Sequence, residues 1–325
     1  MRARLLLVGL VVLAAAAPAR AQAWLPSQGE ISLSFVFSDS FVDEHDLNGL
    51  RDPNANIYTQ SMLMDVTFGL RDNLALTLAL PVVRSKYENQ GTPPHPTIQD
   101  DGDFHTTATD LRFDLRYNAI NKQNLVITPY LGTVTPAHAY EFYAHAAPGR
   151  RVKELQLGTY VGTTLDALVP GMFLQGKFGY GIQEQFVGFS HNRSVYALET
   201  GYFATPDVRV FGMVNGQVTH GGVDLSPTAR LQWPAMQWQN HDRIVRENFV
   251  NVGGGLGWSV NDVVDVFGSY TTQVHSVNTH VLDRAFIMGV SFRVQKSALE
   301  RGIVNLSAGN RIARCACQKA LALKR

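Results

Sequence analysis

The most regular hydrophobic pattern in the chain lies between Ser61 and Val83. Apolar side chains alternate with small or polar ones in two runs, which the polar triplet at 71–73 separates. A period of two is typical of a strand with one apolar face. Two such strands with a short polar turn between them predict an antiparallel hairpin whose apolar face meets either a protein core or lipid. The apolar positions are Met62, Met64, Val66, Phe68, Leu70, Leu74, Leu76, Leu78 and Leu80.

The same alternation recurs along most of the chain. It predicts further strands at about 30–38, 110–117, 125–135, 154–165, 172–183, 194–203, 208–218, 248–258, 263–274 and 284–294. Long polar connections, including 39–57 and 275–283, alternate with short turns. An even number of strands of roughly 9–11 residues with this rhythm is typical of a membrane barrel. We therefore predict an all-β fold, an antiparallel up-and-down transmembrane β-barrel of about 12 strands with long extracellular loops and short periplasmic turns.

The strand at 110–117 decides between this barrel and a soluble double-sheet protein. Leu111, Phe113, Leu115 and Tyr117 share one face, and four charges of alternating sign share the other. Such a row cannot face a dry core, but it can line a wet lumen. The predicted pore-lining residues are Asp65, Asp110, Arg112, Asp114, Arg116, Glu154, Lys177, Glu199 and Asp265.

Two roles remain open for this charged row. Opposite charges on a lumen wall can orient polar solutes and make a pore selective. Alternatively, the charges pair with neighbouring strands, for example with Lys177 or Glu199, and fill a narrow lumen.

The amino-terminal segment has the features of a secretory signal. Arg2 and Arg4 precede an apolar run from Leu5 to Ala17, and small residues follow up to Ala23. This order of regions predicts a signal peptide over residues 1–23 that is cleaved from the mature protein. The run is shorter than the ~20 residues that a membrane-spanning helix needs. The barrel is accordingly predicted over residues 24–294.

Residues 295–325 form a basic extension, which we expect to be periplasmic and disordered or weakly helical. Together with the signal segment they hold ten of the 28 basic residues and one of the 27 acidic residues. The remaining body is therefore acidic, which argues against a nucleic-acid partner. Cys315 and Cys317 also lie in this extension, too close in sequence to bridge easily, so no disulfide is expected in the barrel.

Three stretches carry a family resemblance: residues 68–81, with the hairpin turn; 110–117, with the charged row; and 286–293, near the predicted end of the barrel. They resemble the outer-membrane proteins of the MetA-pathway of phenol degradation family, over about residues 28–294. The resemblance implies a barrel in the bacterial outer membrane that passes small, often hydrophobic or aromatic molecules. It supplies no catalytic residues. Barrels of this kind usually end on an aromatic residue, whereas here some thirty residues follow Phe292.

Candidate chemistry in the loops is weaker. Trp233 and Trp238 lie in the longest loop and are predicted to form a constriction if that loop folds inward. Nine histidines fall in predicted loops without HxH or HxxxH spacing, so we predict no metal site and no cofactor. The segment 189–194 contains Ser190, His191 and Ser194 but no convincing nucleophile arrangement, so we predict that the protein is not an enzyme.

The sequence thus predicts an outer-membrane channel for passive uptake or efflux of small, possibly hydrophobic or aromatic molecules. The expected partners are membrane lipid, lipopolysaccharide, the barrel-assembly machinery and a small solute. A non-transporting structural or adhesive barrel is the first alternative, and an outer-membrane lipid hydrolase is the second.

Overall fold

A computed structural model describes residues 23–53, 55–88, 99–122, 124–142, 145–225, 234, 237 and 240–295. The predicted signal peptide lies outside these residues apart from its last position, Ala23. The basic extension lies outside them apart from Gln295. Trp233 and Trp238 also lie outside them. These three predictions therefore stay predictions.

Strands dominate the described chain. They are β1 (Glu30–Leu47), β2 (Leu50–Asp52), β3 (Ile57–Arg71), β4 (Leu74–Tyr87), β5 (His105–Ala108), β6 (Asp110–Tyr117), β7 (Ile120–Lys122), β8 (Leu125–Pro136), β9 (Glu154–Thr164), β10 (Met172–Gln183), β11 (His191–Phe203), β12 (Val208–Gly221), β13 (Asn248–Ser259), β14 (Val264–Val277) and β15 (His280–Gln295). One short helix, α1 (His241–Ile244), interrupts the connection between β12 and β13. Among the described residues, no helix is long and apolar enough to cross a membrane.

Twelve of these strands close into one antiparallel barrel. Successive long strands pair with each other around the ring, and β1 pairs with β15 from Glu30↔Gln295 to His45↔His280. The short strands β2, β5 and β7 pair with β1, β4 and β8 at the margins of the barrel. The predicted fold, an all-β up-and-down barrel, is confirmed.

The alternation seen in the sequence separates two faces of the barrel wall. On β9, Leu157 is 48% exposed and points outward, whereas Tyr160 is 5% exposed and points inward. Most of the exposed large apolar side chains belong to the outward parity, as a lipid-facing surface requires. They include Phe35, Met62, Leu70, Leu115, Leu131, Leu155, Phe178, Leu198, Val210, Val214, Phe286 and Met288.

The structure corrects two of the predicted loops. The first strand does not end at Ser38 but continues to Leu47, since residues of the expected loop pair with β15. The expected loop at 275–283 is a hairpin whose turn is Asn278–Thr279, with Asn278 at a φ of 54°. Asparagine tolerates this left-handed conformation. Polar residues can extend strands in this way because the neighbouring strands satisfy their backbone groups.

We expect an added charge to destabilise the barrel on its outer face and to be tolerated on its inner face. In Leu157→Lys the ammonium group faces the bilayer, and we expect the free energy of unfolding to fall by up to about 2–4 kcal/mol. In Gln156→Lys the ammonium group points inward beside Glu154, which Gln156 already contacts. We expect the free energy of unfolding to change by less than about 1 kcal/mol. Urea unfolding of the refolded barrel in lipid vesicles measures both values. Equal losses in the two variants would contradict the assignment of faces.

Candidate functional site: the inner wall of the barrel

Ion pairs between strands line the inner wall. Glu154 on β9 pairs with Arg193 on β11 at 2.7 Å. Glu199 on β11 pairs with Arg209 on β12 at 2.8 Å. Asp265 on β14 pairs with Arg293 on β15 at 2.7 Å, and Ser259 donates a hydrogen bond to the same carboxylate at 2.8 Å. The three acids belong to the predicted pore-lining set, whereas sequence reasoning missed the three arginines.

The pair of Glu154 and Arg193 lies at the centre of a larger polar network. The Glu154 side chain is 2% exposed, and its Oε2 also accepts a hydrogen bond from Gln183 Nε2 at 2.5 Å. Arg193 Nη1 donates to Gln217 Oε1 at 2.9 Å. A buried carboxylate without such partners is strongly disfavoured, so this network is what allows a charge to remain in the wall.

The hairpin of β3 and β4 holds Arg116 against the wall. Arg116 Nη2 donates hydrogen bonds to Thr77 Oγ1 at 2.6 Å and to Thr67 Oγ1 at 3.3 Å. The two threonine hydroxyls lie 3.0 Å apart. The inward-facing threonines of the hairpin thus bind Arg116, the last charge of the alternating row on β6.

Lys177 does not pair with that row, and neither does Glu199. The ammonium group of Lys177 lies 4.8 Å from the ring centre of Tyr130 and 5.2 Å from that of Tyr160. An ammonium group over aromatic faces is stabilised by their negative electrostatic potential. The partners that the sequence suggested for the row were therefore wrong in detail, because strand register decides them.

The remaining predicted residues are spread along the wall. Asp110 Oδ1 accepts a hydrogen bond from the Tyr140 hydroxyl at 2.7 Å, and burial together with this carboxylate raises the pKa of Tyr140 above its usual range. Arg112 is exposed. Asp65 lies opposite Ser34 on β1 and Ala79 on β4. Asp114 shares the parity of Asp110 on β6.

The segment before β1 enters the barrel at the end that carries the short turns. Ala23 is 1% exposed and packs with Trp24 against Val126, Tyr130 and Tyr160 of the inner wall. The Thr128 hydroxyl donates to the Ala23 carbonyl at 2.6 Å. Nothing in the sequence pattern signals this insertion.

Two inward-facing glycines make room for the inserted segment. A Cβ atom on Gly162 would lie 2.4 Å from the indole ring of Trp24. A Cβ atom on Gly69 would lie 2.0 Å from the carbonyl oxygen of Ser27. Because both distances are far below van der Waals contact, a larger residue at either position would displace the inserted segment. The segment therefore narrows the lumen near β8 and β9.

The opposite mouth is covered in part by the connection between β12 and β13. Ile244 and Val245 at α1 pack with Leu225 against Leu47 of β1. Arg243 lies over the ring of Phe186 at 3.7 Å and over that of Phe142 at 4.0 Å. The described part of the longest loop thus packs on the barrel mouth.

The two serines and the histidine of the segment 189–194 each hydrogen-bond to a different partner and do not form a catalytic pair with one another. Gln185 donates to the Ser190 hydroxyl at 3.1 Å, while His191 Nδ1 lies 3.3 Å from Gln183 Oε1. Ser194 instead lies 2.8 Å from Nε2 of His220. The described contacts of His220 are with Ser194 and the Tyr180 ring, and neither supplies the carboxylate that usually orients a catalytic imidazole.

Comparison of the whole fold finds outer-membrane barrels among solved structures. The COG4313 outer membrane channel from Pseudomonas putida F1 aligns with a TM-score of 0.61 and 12% identity, over 83% of this chain and 97% of that one. The translocator domain of the autotransporter NalP from Neisseria meningitidis reaches 0.49 at 10% identity, covering 83% and 90%. The NanC porin reaches 0.48 at 7% identity, covering 81% and 100%. At these identities the likeness concerns the fold alone.

Sequence comparison does not assign the chain to a family. No family model matches the chain, and no curated protein matches it. The resemblance to the MetA-pathway of phenol degradation family therefore stays a prediction.

The pair of Glu154 and Arg193 can be tested by breaking and then replacing it. Arg193→Ala leaves a buried carboxylate without its cation, and we expect the free energy of unfolding to fall by about 3–5 kcal/mol. The double variant Glu154→Gln/Arg193→Gln carries neither charge, and we expect it to recover at least half of that loss. Urea unfolding measures both. A double variant as unstable as Arg193→Ala would show that the pair is not the source of the loss.

Proposed function

We propose that this protein is a channel of the bacterial outer membrane that passively conducts small solutes. The observation that carries the proposal is a closed barrel with an apolar outer face and an inner wall of charged and polar side chains. A wall of this kind suits water and polar solutes. The fold shared with a known outer membrane channel supports the same reading.

The nine predicted pore-lining residues are proposed to tune selectivity. Several of them are compensated by a partner in the wall, as Glu154 is by Arg193, so the field inside the barrel is a pattern of local dipoles. Such dipoles orient polar solutes in the lumen.

The solute is proposed to be small and partly hydrophobic or aromatic. Trp24 is the partly exposed member of an aromatic cluster inside the barrel; it packs on the buried rings of Tyr130 and Tyr160, and Lys177 lies beside the two tyrosines. Aromatic side chains bind apolar rings by stacking and by edge-to-face contact. This part of the proposal rests on the inner aromatic cluster and on the family resemblance.

Single-channel recording of the refolded protein in planar bilayers tests the function. We expect discrete conductance steps, and we expect phenol-like solutes to change the open-state current more than glycerol does. A flat trace under all conditions would favour the non-transporting structural or adhesive barrel.

Removing the inserted indole should widen the pathway. Trp24→Ala takes away the side chain that fills the space over Gly162, and we expect a larger single-channel conductance than that of the natural protein. Phe178→Ala is the matched control, since Phe178 is 55% exposed on the outer face. If both variants conduct like the natural protein, the inserted segment does not limit the pathway.

The hydrolase alternative has its own measurement. If the barrel hydrolysed lipid, Ser194→Ala or His220→Ala would abolish release of fatty acid from phospholipid vesicles. We expect no such release from the natural protein.

In the cell the proposed function also requires lipopolysaccharide around the barrel and the assembly machinery for its insertion.

A further inference from the structure

Four histidines from distant parts of the sequence meet at the mouth of the barrel that carries the long loops. His45 at the end of β1 and His280 at the start of β15 are register partners, and their ring centres lie 4.5 Å apart. His241 of α1 lies 5.5 Å from His280, and His145 lies 6.0 Å from His241. The sequence did not predict this cluster, because the four histidines do not follow any metal-binding spacing.

Two of these histidines and Asp242 bring three possible ligand atoms within 4.8 Å of one another. His241 Nε2 and His280 Nε2 lie 3.3 Å apart. Asp242 Oδ1 lies 3.2 Å from the former and 3.9 Å from the latter. Two nitrogens about 2.0–2.1 Å from a tetrahedral zinc ion are about 3.3 Å apart, so the two imidazoles already have the separation that zinc requires.

The surroundings of the three residues favour a bound cation. The His241 side chain is 7% exposed, and Asp242 and His280 are half-buried. Asp242 adds a carboxylate to the two imidazoles, and carboxylate oxygen is a common ligand of zinc.

A cavity adjoins the three ligand atoms and leaves room for a further ligand. It has a volume of about 240 Å³, and Arg150, Glu247 and Thr279 also line it. Glu247 is occupied by an ion pair with Arg150 and by a hydrogen bond from Thr279 at 3.0 Å. The cavity therefore leaves space for a water molecule as a further ligand.

We propose that His241, Asp242 and His280 bind one zinc-like divalent ion, which ties the connection between β12 and β13 to the barrel wall at β15. Imidazole nitrogen with one carboxylate suits zinc and neighbouring transition metals, whereas calcium and magnesium prefer sites made of oxygen alone. His45, which pairs with His280, and His145, whose Nδ1 lies 3.1 Å from Asp100 Oδ2, are positioning residues around the site.

Metal titration of the purified full chain tests this proposal independently of conduction. The protein carries no affinity tag, and Cys315→Ser and Cys317→Ser remove the two thiols of the extension, which would compete for zinc. Isothermal titration with Zn²⁺ is expected to show one saturable site, and titration with Ca²⁺ none. A chain without a saturable Zn²⁺ site overturns the proposal, whether or not the barrel conducts.

Variants identify the ligands. His241→Ala, His280→Ala and Asp242→Asn are each expected to weaken Zn²⁺ binding at least about 10-fold, because each removes one of three protein ligands. His220→Ala is the matched control, because His220 lies outside the cluster, and it is expected to bind Zn²⁺ as the natural chain does. Unchanged binding in Asp242→Asn and His241→Ala, or an equal loss in His220→Ala, overturns the assignment.

Thermal unfolding separates lost binding from lost folding. Asp242→Asn keeps the shape of the side chain, so it is expected to retain the heat-modified migration typical of a closed barrel. Zn²⁺ is expected to raise the unfolding temperature of the natural chain but not that of Asp242→Asn. An equal rise in both overturns the proposal.

Discussion

The structure depends on the pairing of β1 with β15, because a sheet that crosses lipid can leave no backbone edge unpaired. Water is absent from the hydrocarbon region, and an unsatisfied N–H or C=O group there costs several kcal/mol. The pairing runs from Glu30 to His45 on β1, which makes it one of the longest in the ring. It closes the barrel without any covalent link among the described residues, and it brings together residues more than two hundred positions apart.

Closure also explains how the inner wall tolerates so many charges. Once the outer face meets lipid, polar side chains of the other parity are confined to a narrow interior, where isolated charges are unfavourable. Glu199 and Asp265 each meet an arginine from the neighbouring strand, and Glu154 on β9 meets Arg193 on β11, two strands away. The wall is therefore polar but locally compensated, a property that suits both a rigid scaffold and a selective pathway.

The two ends of the barrel are narrowed by different elements. At the short-turn end, Trp24 and Ala23 pack on the inner tyrosines, and glycines at 69 and 162 make room for the inserted segment. At the other end, α1 and its neighbours pack on Leu47 and carry histidines toward β1 and β15. The interior is thus bounded by a short aromatic segment at one end and by the connection between β12 and β13 at the other.

The sequence by itself determined the twelve long strands, apart from some of their ends, and the side of the wall that most of their residues occupy. A strand has a side-chain period of two, so Leu157 and Tyr160 could be assigned to opposite faces from their spacing alone. The strand at 110–117 has the predicted bounds.

Only the tertiary structure decided which residues meet across the wall and at its mouths. Arg193, Arg209 and Arg293 became partners of predicted acids through strand register and side-chain direction, which the period of two does not encode. The insertion of Trp24 and the convergence of His45, His145, His241 and His280 likewise depend on closure and on loop packing. These contacts join segments far apart in the chain, and no periodic pattern records them.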